Sequence, residues 1–323
     1  MPRTLLATVC ALALPTLAAA ETLTLYTSQP NADAQKTVDA FMAANPGIEV
    51  DWVRDGTTKL MARLTAEIEA GAAQPDVLLI ADTVTLEGMA QAGHLAAYAS
   101  PESAAYDSAL YSAEGYYHST KLITTGIVYN TGADSVPTSW ADLAKPEMAG
   151  LVAMPSPLYS GAALIHLATL TETDGLGWDY YVDLAGNKTQ AEGGNGGTFK
   201  AVASGEKPYG VLVDFMALRA KAEGSPVEFV FPEEGVSYVT EPVAILSTAD
   251  NMDAAQKFVD FLLSEAGQQL VVEMGYIPAR NGMPSPEGFP SRDEITLMDF
   301  DPAKALADTE ANKNRFAEIF GVE

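Results

Sequence analysis

The order of hydrophobic patterns between residues 22 and 80 constrains the fold more than any other feature of the chain. "TLTLYTS" alternates apolar and polar residues as a strand does; an amphipathic helix pattern follows from about Ala32 to Ala44 and stops at Asn45-Pro46-Gly47. "IEVDWV" alternates again. "TTKLMARLTAEIEAG" then sets Leu60, Leu64 and Ile68 on one helical face before Gly71, and "DVLLI" has the unbroken apolar run of a parallel strand buried on both faces. This βαβαβ order implies an α/β fold, a parallel sheet covered by helices. At 323 residues, the chain is long enough for two domains of this kind.

Sheets of this class bind ligands in the loops at the carboxyl ends of their strands. Here those loops are Thr27-Ser28-Gln29, Gly56-Thr57-Thr58 and Asp82-Thr83, all short and polar and all leading into helices. Taken singly, Ser28, Thr58 and Thr83 read as helix N-caps. Three on one sheet edge read as a shared binding rim.

A second helix start has the same character. "MPSPLYSGAALIHLATL", residues 154–170, passes from Pro and Ser turn signals into an apolar helical run at Ser160-Gly161-Ala162. A small, hydroxyl-bearing helix start suits an anion.

Residues 1–20, "MPRTLLATVCALALPTLAAA", have the form of an export signal: Arg3, an apolar middle, no acidic residue, and Ala18 and Ala20 before the expected cut. The apolar stretch is too short for a permanent anchor, so no membrane insertion is expected. Cys10, the only cysteine, lies inside this segment in a context unlike that of a lipid-modified cysteine; the exported chain would hold no thiol for disulfides, zinc or nucleophilic catalysis. Removing Arg3 from the 18 basic residues leaves 17 against 43 acidic ones, a net charge of −26. Such a surface repels nucleic acid and anionic membranes.

The stretches "LTLYTSQPNADAQKTVDAFMAANPGIEVDWVRDGTTKLMARL", "PDVLLIADTVTLEGMAQAGHLAAY" and "EPVAILSTADNMDAAQKFVDFLLSEAGQQLV" resemble the periplasmic solute-binding proteins of ATP-binding cassette importers, in the group that contains the ferric-ion-binding proteins. The resemblance spans nearly all of the chain after residue 20. It implies a two-lobed periplasmic-binding-protein fold of type II with the ligand between the lobes, a monomer acting with membrane permease and ATPase subunits, no cofactor, and a periplasmic location. Lobe one would take residues 21–124 and return at about 243–323, and lobe two 125–242, with crossovers near "LITTGIVYN" and "EPVAIL".

Ferric members of the group hold their metal with adjacent tyrosines after a lobe-two strand, helped by a histidine and a carboxylate from lobe one. The matching place here, in "YGVLVDFMALRAKAEG", holds Asp214, Phe215 and Met216, and the first loop has Ser28-Gln29-Pro30 where the histidine would stand. Ferric iron needs anionic oxygen ligands, which Phe and Met do not supply, so no metal is expected. Ferric transport is the alternative function. The other tyrosine pairs are Tyr116-Tyr117 and Tyr180-Tyr181, of which Tyr180-Tyr181 reads as helix packing; His94, His118 and His166 show no metal-ligand spacing.

What remains of the ferric pattern is its anion half, and the resembling residues are Ser160, Gly161, Ala162 and Asn195. Asn195 lies in "AEGGNGGTFKAVASGE", where Gly197 and its neighbouring glycines free the backbone to approach a ligand and Thr198 precedes a helix. Two helix termini and their hydroxyls can hold an oxyanion without arginine. Distant acidic groups interfere little, since at physiological salt their field decays over about 8 Å.

The expected solute is therefore a small anion with a phosphoryl or phosphonyl group, such as a sugar phosphate or 2-aminoethylphosphonate. Its other end would meet Asp214 and Glu233 of the "FPEEG" loop, since carboxylates accept from hydroxyls and pair with ammonium groups. A secreted phosphoesterase is the reading from another class, but the chain has no G-x-S-x-G elbow and no H-E-x-x-H helix.

Overall fold

Two sheets, linked by strands that pass between them, organise the computed structural model, which describes residues 21–322. The segment read as an export signal lies outside the described residues. The first sheet begins with the expected βαβαβ run: β1 (Glu21–Thr27), α1 (Asn31–Ala44), β2 (Ile48–Arg54), α2 (Thr57–Glu69) and β3 (Val77–Leu79). α3 (Thr83–Gln91) and the short β4 (Leu95–Ala96) follow. β1 runs parallel to β2 from Glu21 opposite Ile48 to Thr27 opposite Arg54, and parallel to β3 on its other side.

Alternation along these strands explains why both faces are covered. Leu23 and Leu25 of β1 and Val77 and Leu79 of β3 pack with Phe41 of α1, while Tyr26 and Leu78 face the other way onto Leu60 and Leu64 of α2. All of these side chains are buried, as the continuous apolar run "VLL" requires.

The chain then crosses on β5 (Lys121–Asn130) into a second sheet. There α4 (Trp140–Leu143), β6 (Val152–Met154), α5 (Gly161–Thr171), α6 (Gly177–Gly186), β7 (Gln190–Ala191), α7 (Asn195–Ala203), β8 (Tyr209–Val213), α8 (Asp214–Ala222), β9 (Val227–Val230) and β10 (Ser237–Val239) follow. Its main path is β10-β5-β8-β6-β7. Ile127, Val211 and Met154 pack on one face with Trp140 and Tyr181, and Val128 and Leu212 on the other with Val202 and Ala217.

The return is β11 (Val243–Leu246), inserted antiparallel between β3 and β4 in the first sheet. The two crossing segments lie side by side: the His118 and Val243 backbones exchange hydrogen bonds of 3.0 and 2.9 Å, and Thr120 N–H donates to Thr240 O at 3.1 Å. α9 (Met252–Leu263), α10 (Glu265–Glu273), β12 (Ile277–Pro278) and α11 (Pro302–Phe320) complete the chain. After β11 the chain touches both sheets. Phe258 of α9 joins the first core, β12 pairs with β5, and α11 lies against α3 as well as α5 and α6. No helix of the described residues is long and apolar enough to cross a membrane.

Candidate functional site

The polar loops after the first-sheet strands and the helix starts of the second sheet face one another across a cavity of about 500 Å³. Ser28, Arg54, Gly56, Thr57 and Ala81 line it from one side, and Tyr159, Ser160, Gly161, Ala162 and Gly193 to Gly197 from the other. Glu241, from the returning crossover, and Tyr276 also reach it.

Helices α2, α5 and α7 begin at this cavity. Gly56 and Gly194 occupy the N-cap positions of α2 and α7 and offer no side chain to occupy their first N–H groups. On α5, Ser160 is the N-cap, its hydroxyl accepting from Ala163 N–H at 3.4 Å and from Asn195 Nδ2 at 3.3 Å. The Asn195 bond ties the starts of α5 and α7 together; its Oδ1 is buried and has no partner among the described residues. Each helix start presents roughly half a positive charge, so the three together favour an anion.

Arg54 adds a full positive charge. It stands at the carboxyl end of β2, where its Nε donates to Gln29 O at 2.8 Å and its Nη2 to Ser28 O at 3.4 Å. Those bonds fix the side chain along the first loop.

The two sides meet closely. A Cβ on Gly161 would lie 2.5 Å from Ala81 O and 3.1 Å from Thr57 Oγ1. The Tyr159 ring passes between Gly56 and Gly194, where a Cβ would stand 2.7 and 2.8 Å from ring carbons. Only glycine fits at these three positions without something shifting.

Of the residues singled out from the sequence, Ser28, Thr57, Ser160, Gly161, Ala162, Asn195 and Gly197 line the cavity. The other five are used elsewhere. Thr58 is the second residue of α2, and Thr83 starts α3 with its hydroxyl 3.3 Å from that of Thr240. Thr198 lies inside α7, not before it, and is buried with its methyl facing Gly210 of β8.

Asp214 is not among the residues that line the cavity. Its Oδ2 accepts from Thr124 N–H and Oγ1 at 3.1 and 2.8 Å and its Oδ1 from Phe215 N–H at 2.7 Å, which pins the start of α8 to β5. Burial pushes its pKa up to about 6, against the lowering effect of those hydrogen bonds. Glu233 is exposed on the Pro232–Gly235 turn, its N–H bonded to Thr138 O at 2.9 Å. The simple N-cap reading of the first-sheet loops fails too. Pro30, Gly56 and Asp82 hold those cap positions, and the Ser28 hydroxyl accepts from Ala81 N–H at 2.9 Å.

Sequence reasoning missed Arg54, Tyr159, Glu241 and Tyr276. For Arg54 a signal existed, since it ends β2 on the same edge as the three loops. Glu241 had none: it is a buried non-glycine residue at φ 39°, held by an ion pair with the buried Lys121 and by Gln29 Nε2 at 3.2 Å. Tyr180 and Tyr181 are core residues packed in α6, and the Tyr117 hydroxyl donates to Glu87 at 2.9 Å. His166 is buried against Trp140 with Nδ1 2.8 Å from Ser237 Oγ, and burial lowers its pKa to about 3.

The family model for the bacterial extracellular solute-binding protein matches residues 73–305. An uncharacterised protein of Haemophilus influenzae is 30% identical over 270 residues, covering 78% of this chain and 76% of its own. Among solved structures, AfuA of Actinobacillus pleuropneumoniae with fructose-6-phosphate bound aligns over 94% of this chain and 99% of its own, with a TM-score of 0.86 at 23% identity. Iron-bound HitA of Pseudomonas aeruginosa aligns over 93% and 99%, with a TM-score of 0.80 at 24% identity. The fold is thus the expected two-lobed α/β fold of periplasmic binding proteins. With two thirds of its length under the family model, this chain belongs to the bacterial extracellular solute-binding proteins, a family of binders and not of enzymes.

Proposed function

We propose that the chain is the periplasmic substrate-binding component of an ATP-binding cassette importer and takes a small solute bearing a phosphoryl or phosphonyl group. It would work as a monomer whose two lobes, 21–124 with about 243–323 and 125–242, close on the solute and present the closed form to the permease and ATPase subunits. One observation carries the ligand class: the starts of α2, α5 and α7 and the Arg54 guanidinium converge on one cavity. Ser28, Thr57, Ser160, Gly161, Ala162, Asn195 and Gly197 are the residues of the earlier set that would surround the anion.

Ferric iron fits this lining less well. Where the resemblance would put the tyrosines of ferric members stand Asp214, Phe215 and Met216; Phe215 and Met216 are on the cavity wall, Asp214 is taken up by Thr124 and the Phe215 N–H, and the wall's carboxylate, Glu241, is already paired with Lys121. A thermal-shift screen of inorganic phosphate, phosphate esters, phosphonates, polyamines and ferric citrate tests the assignment, because a ligand that binds only the folded state raises its melting temperature. Phosphoryl or phosphonyl compounds should do so. A shift with polyamines or iron alone would refute the reading.

A further inference from the structure

The cavity is larger than the anion needs. A tetrahedral oxyanion has five heavy atoms and a water takes about 30 Å³, so most of the roughly 500 Å³ is left for the rest of the solute. That remainder meets an apolar wall. Ile123 and Val239 are direct partners across β5 and β10. They share one buried cluster with Val213, Phe215 and Tyr276, and Met216 packs against it. All six line the cavity. The Phe215 and Tyr276 rings are 4.5 Å apart.

The carboxylates and the tyrosine hydroxyl beside this wall are already engaged; the buried atoms without a partner among the described residues include Asn195 Oδ1 at the helix starts, Gln29 Oε1, and Nε and Nη2 of Arg219, a cation lying over the Phe215 and Tyr276 rings. The Glu241 carboxylate is paired with Lys121 and accepts from Gln29, and the Tyr276 hydroxyl donates to Asp33. Asp214, the other carboxylate nearby, is satisfied by Thr124 and the Phe215 N–H. An added ammonium would compete with Lys121 for Glu241 and meet the Arg219 cation, and a row of hydroxyls would leave water for a wall of six aliphatic and aromatic side chains. Each unmatched hydroxyl weakens binding by roughly tenfold.

We infer that the part of the solute beyond its phosphoryl or phosphonyl group is a compact apolar or aromatic group, not a polyhydroxylated sugar and not an amine. This rests on the anion reading of the same cavity and goes further by naming what the apolar wall receives. It replaces the sugar or amine tail expected when Asp214 and Glu233 were assigned to recognition.

Calorimetric titration of the purified protein with inorganic phosphate, phenyl phosphate, glucose 6-phosphate and 2-aminoethylphosphonate tests it. Phenyl phosphate should bind at least tenfold more tightly than each of the other three. Met216→Asn, at a partly exposed position on the wall, should erase that margin while leaving inorganic phosphate within about twofold, and Met216→Leu should retain it. A margin below tenfold, a tighter fit for the sugar phosphate or the aminophosphonate, or a margin unchanged in Met216→Asn overturns the inference and leaves the anion reading standing. Failure of all four probes to bind overturns both.

Discussion

Arg219 of α8 places Nη1 2.9 Å from Oδ2 of Asp33 on α1, so that helices flanking different sheets are joined by an ion pair beside the cavity. Asp33 is buried and also accepts from the Tyr276 hydroxyl, while the guanidinium lies over the Phe215 and Tyr276 rings at 4.7 and 4.4 Å. The pair can form only when the two sides are together. Asp33→Asn should therefore weaken the closed form by about 1–3 kcal/mol, leaving the fold intact. Small-angle scattering should show a larger ligand-free radius of gyration for the variant than for the parent; identical profiles would show that the pair does not hold the lobes together.

Gly161 separates folding from closure. Alanine is at least as good as glycine in a helix, but its Cβ would press on Ala81 O from the other side of the cavity at 2.5 Å. Gly161→Ala should keep or raise the melting temperature and weaken phosphoryl ligands at least tenfold. Unchanged affinity would mean that the close approach of α5 to Ala81 is not part of the bound state.

The way these contacts arise shows what the sequence could and could not announce. Strand and helix order in the first sheet was legible because Leu23, Leu25, Leu60 and Leu64 follow the periods of their elements. Ser160-Gly161-Ala162 was legible as a helix start; Asn195 was legible only as part of a glycine loop, because its glycine neighbours hide the start of α7, which begins at Asn195 and not after Thr198. Asp214 was misread because a polar residue after a buried strand looks the same whether it meets solute or, as here, the Thr124 hydroxyl on a strand 90 residues away. Tyr159 and Glu241 depend on contacts across the cavity, between segments remote in the chain, and no local pattern marks them.

Two buried groups give the stability opposite pH slopes. Asp214 has a folded pKa of about 6 against an ordinary 3.8, so its burial costs nothing at low pH and destabilises the fold as pH rises through 6. His166 has a folded pKa of about 3 against 6.5, so its contribution is complete above pH 6.5 and is lost as pH falls toward 3. Relative to the parent, the melting temperature of Asp214→Asn should rise between pH 4 and 6, and that of His166→Gln should fall over the same range. Parallel melting curves across that window would contradict both assignments.

With ferric citrate the protein should stay colourless. Tyr159 and Tyr276 line the cavity, but the first is wedged between Gly56 and Gly194 and the second is committed to Asp33. A visible charge-transfer band that disappears in Tyr159→Phe or Tyr276→Phe would reinstate iron as the cargo.

The central claim is that Arg54 and the starts of α2, α5 and α7 hold a phosphoryl or phosphonyl anion, and calorimetry on the parent and on Arg54→Ala tests it most directly. A charge-assisted hydrogen bond contributes about 1.5–3 kcal/mol, so the variant should bind a phosphate ester roughly ten- to a hundredfold more weakly, with a melting temperature close to that of the parent. Equal affinities in the two proteins, or a parent that binds no phosphoryl or phosphonyl compound, would contradict it.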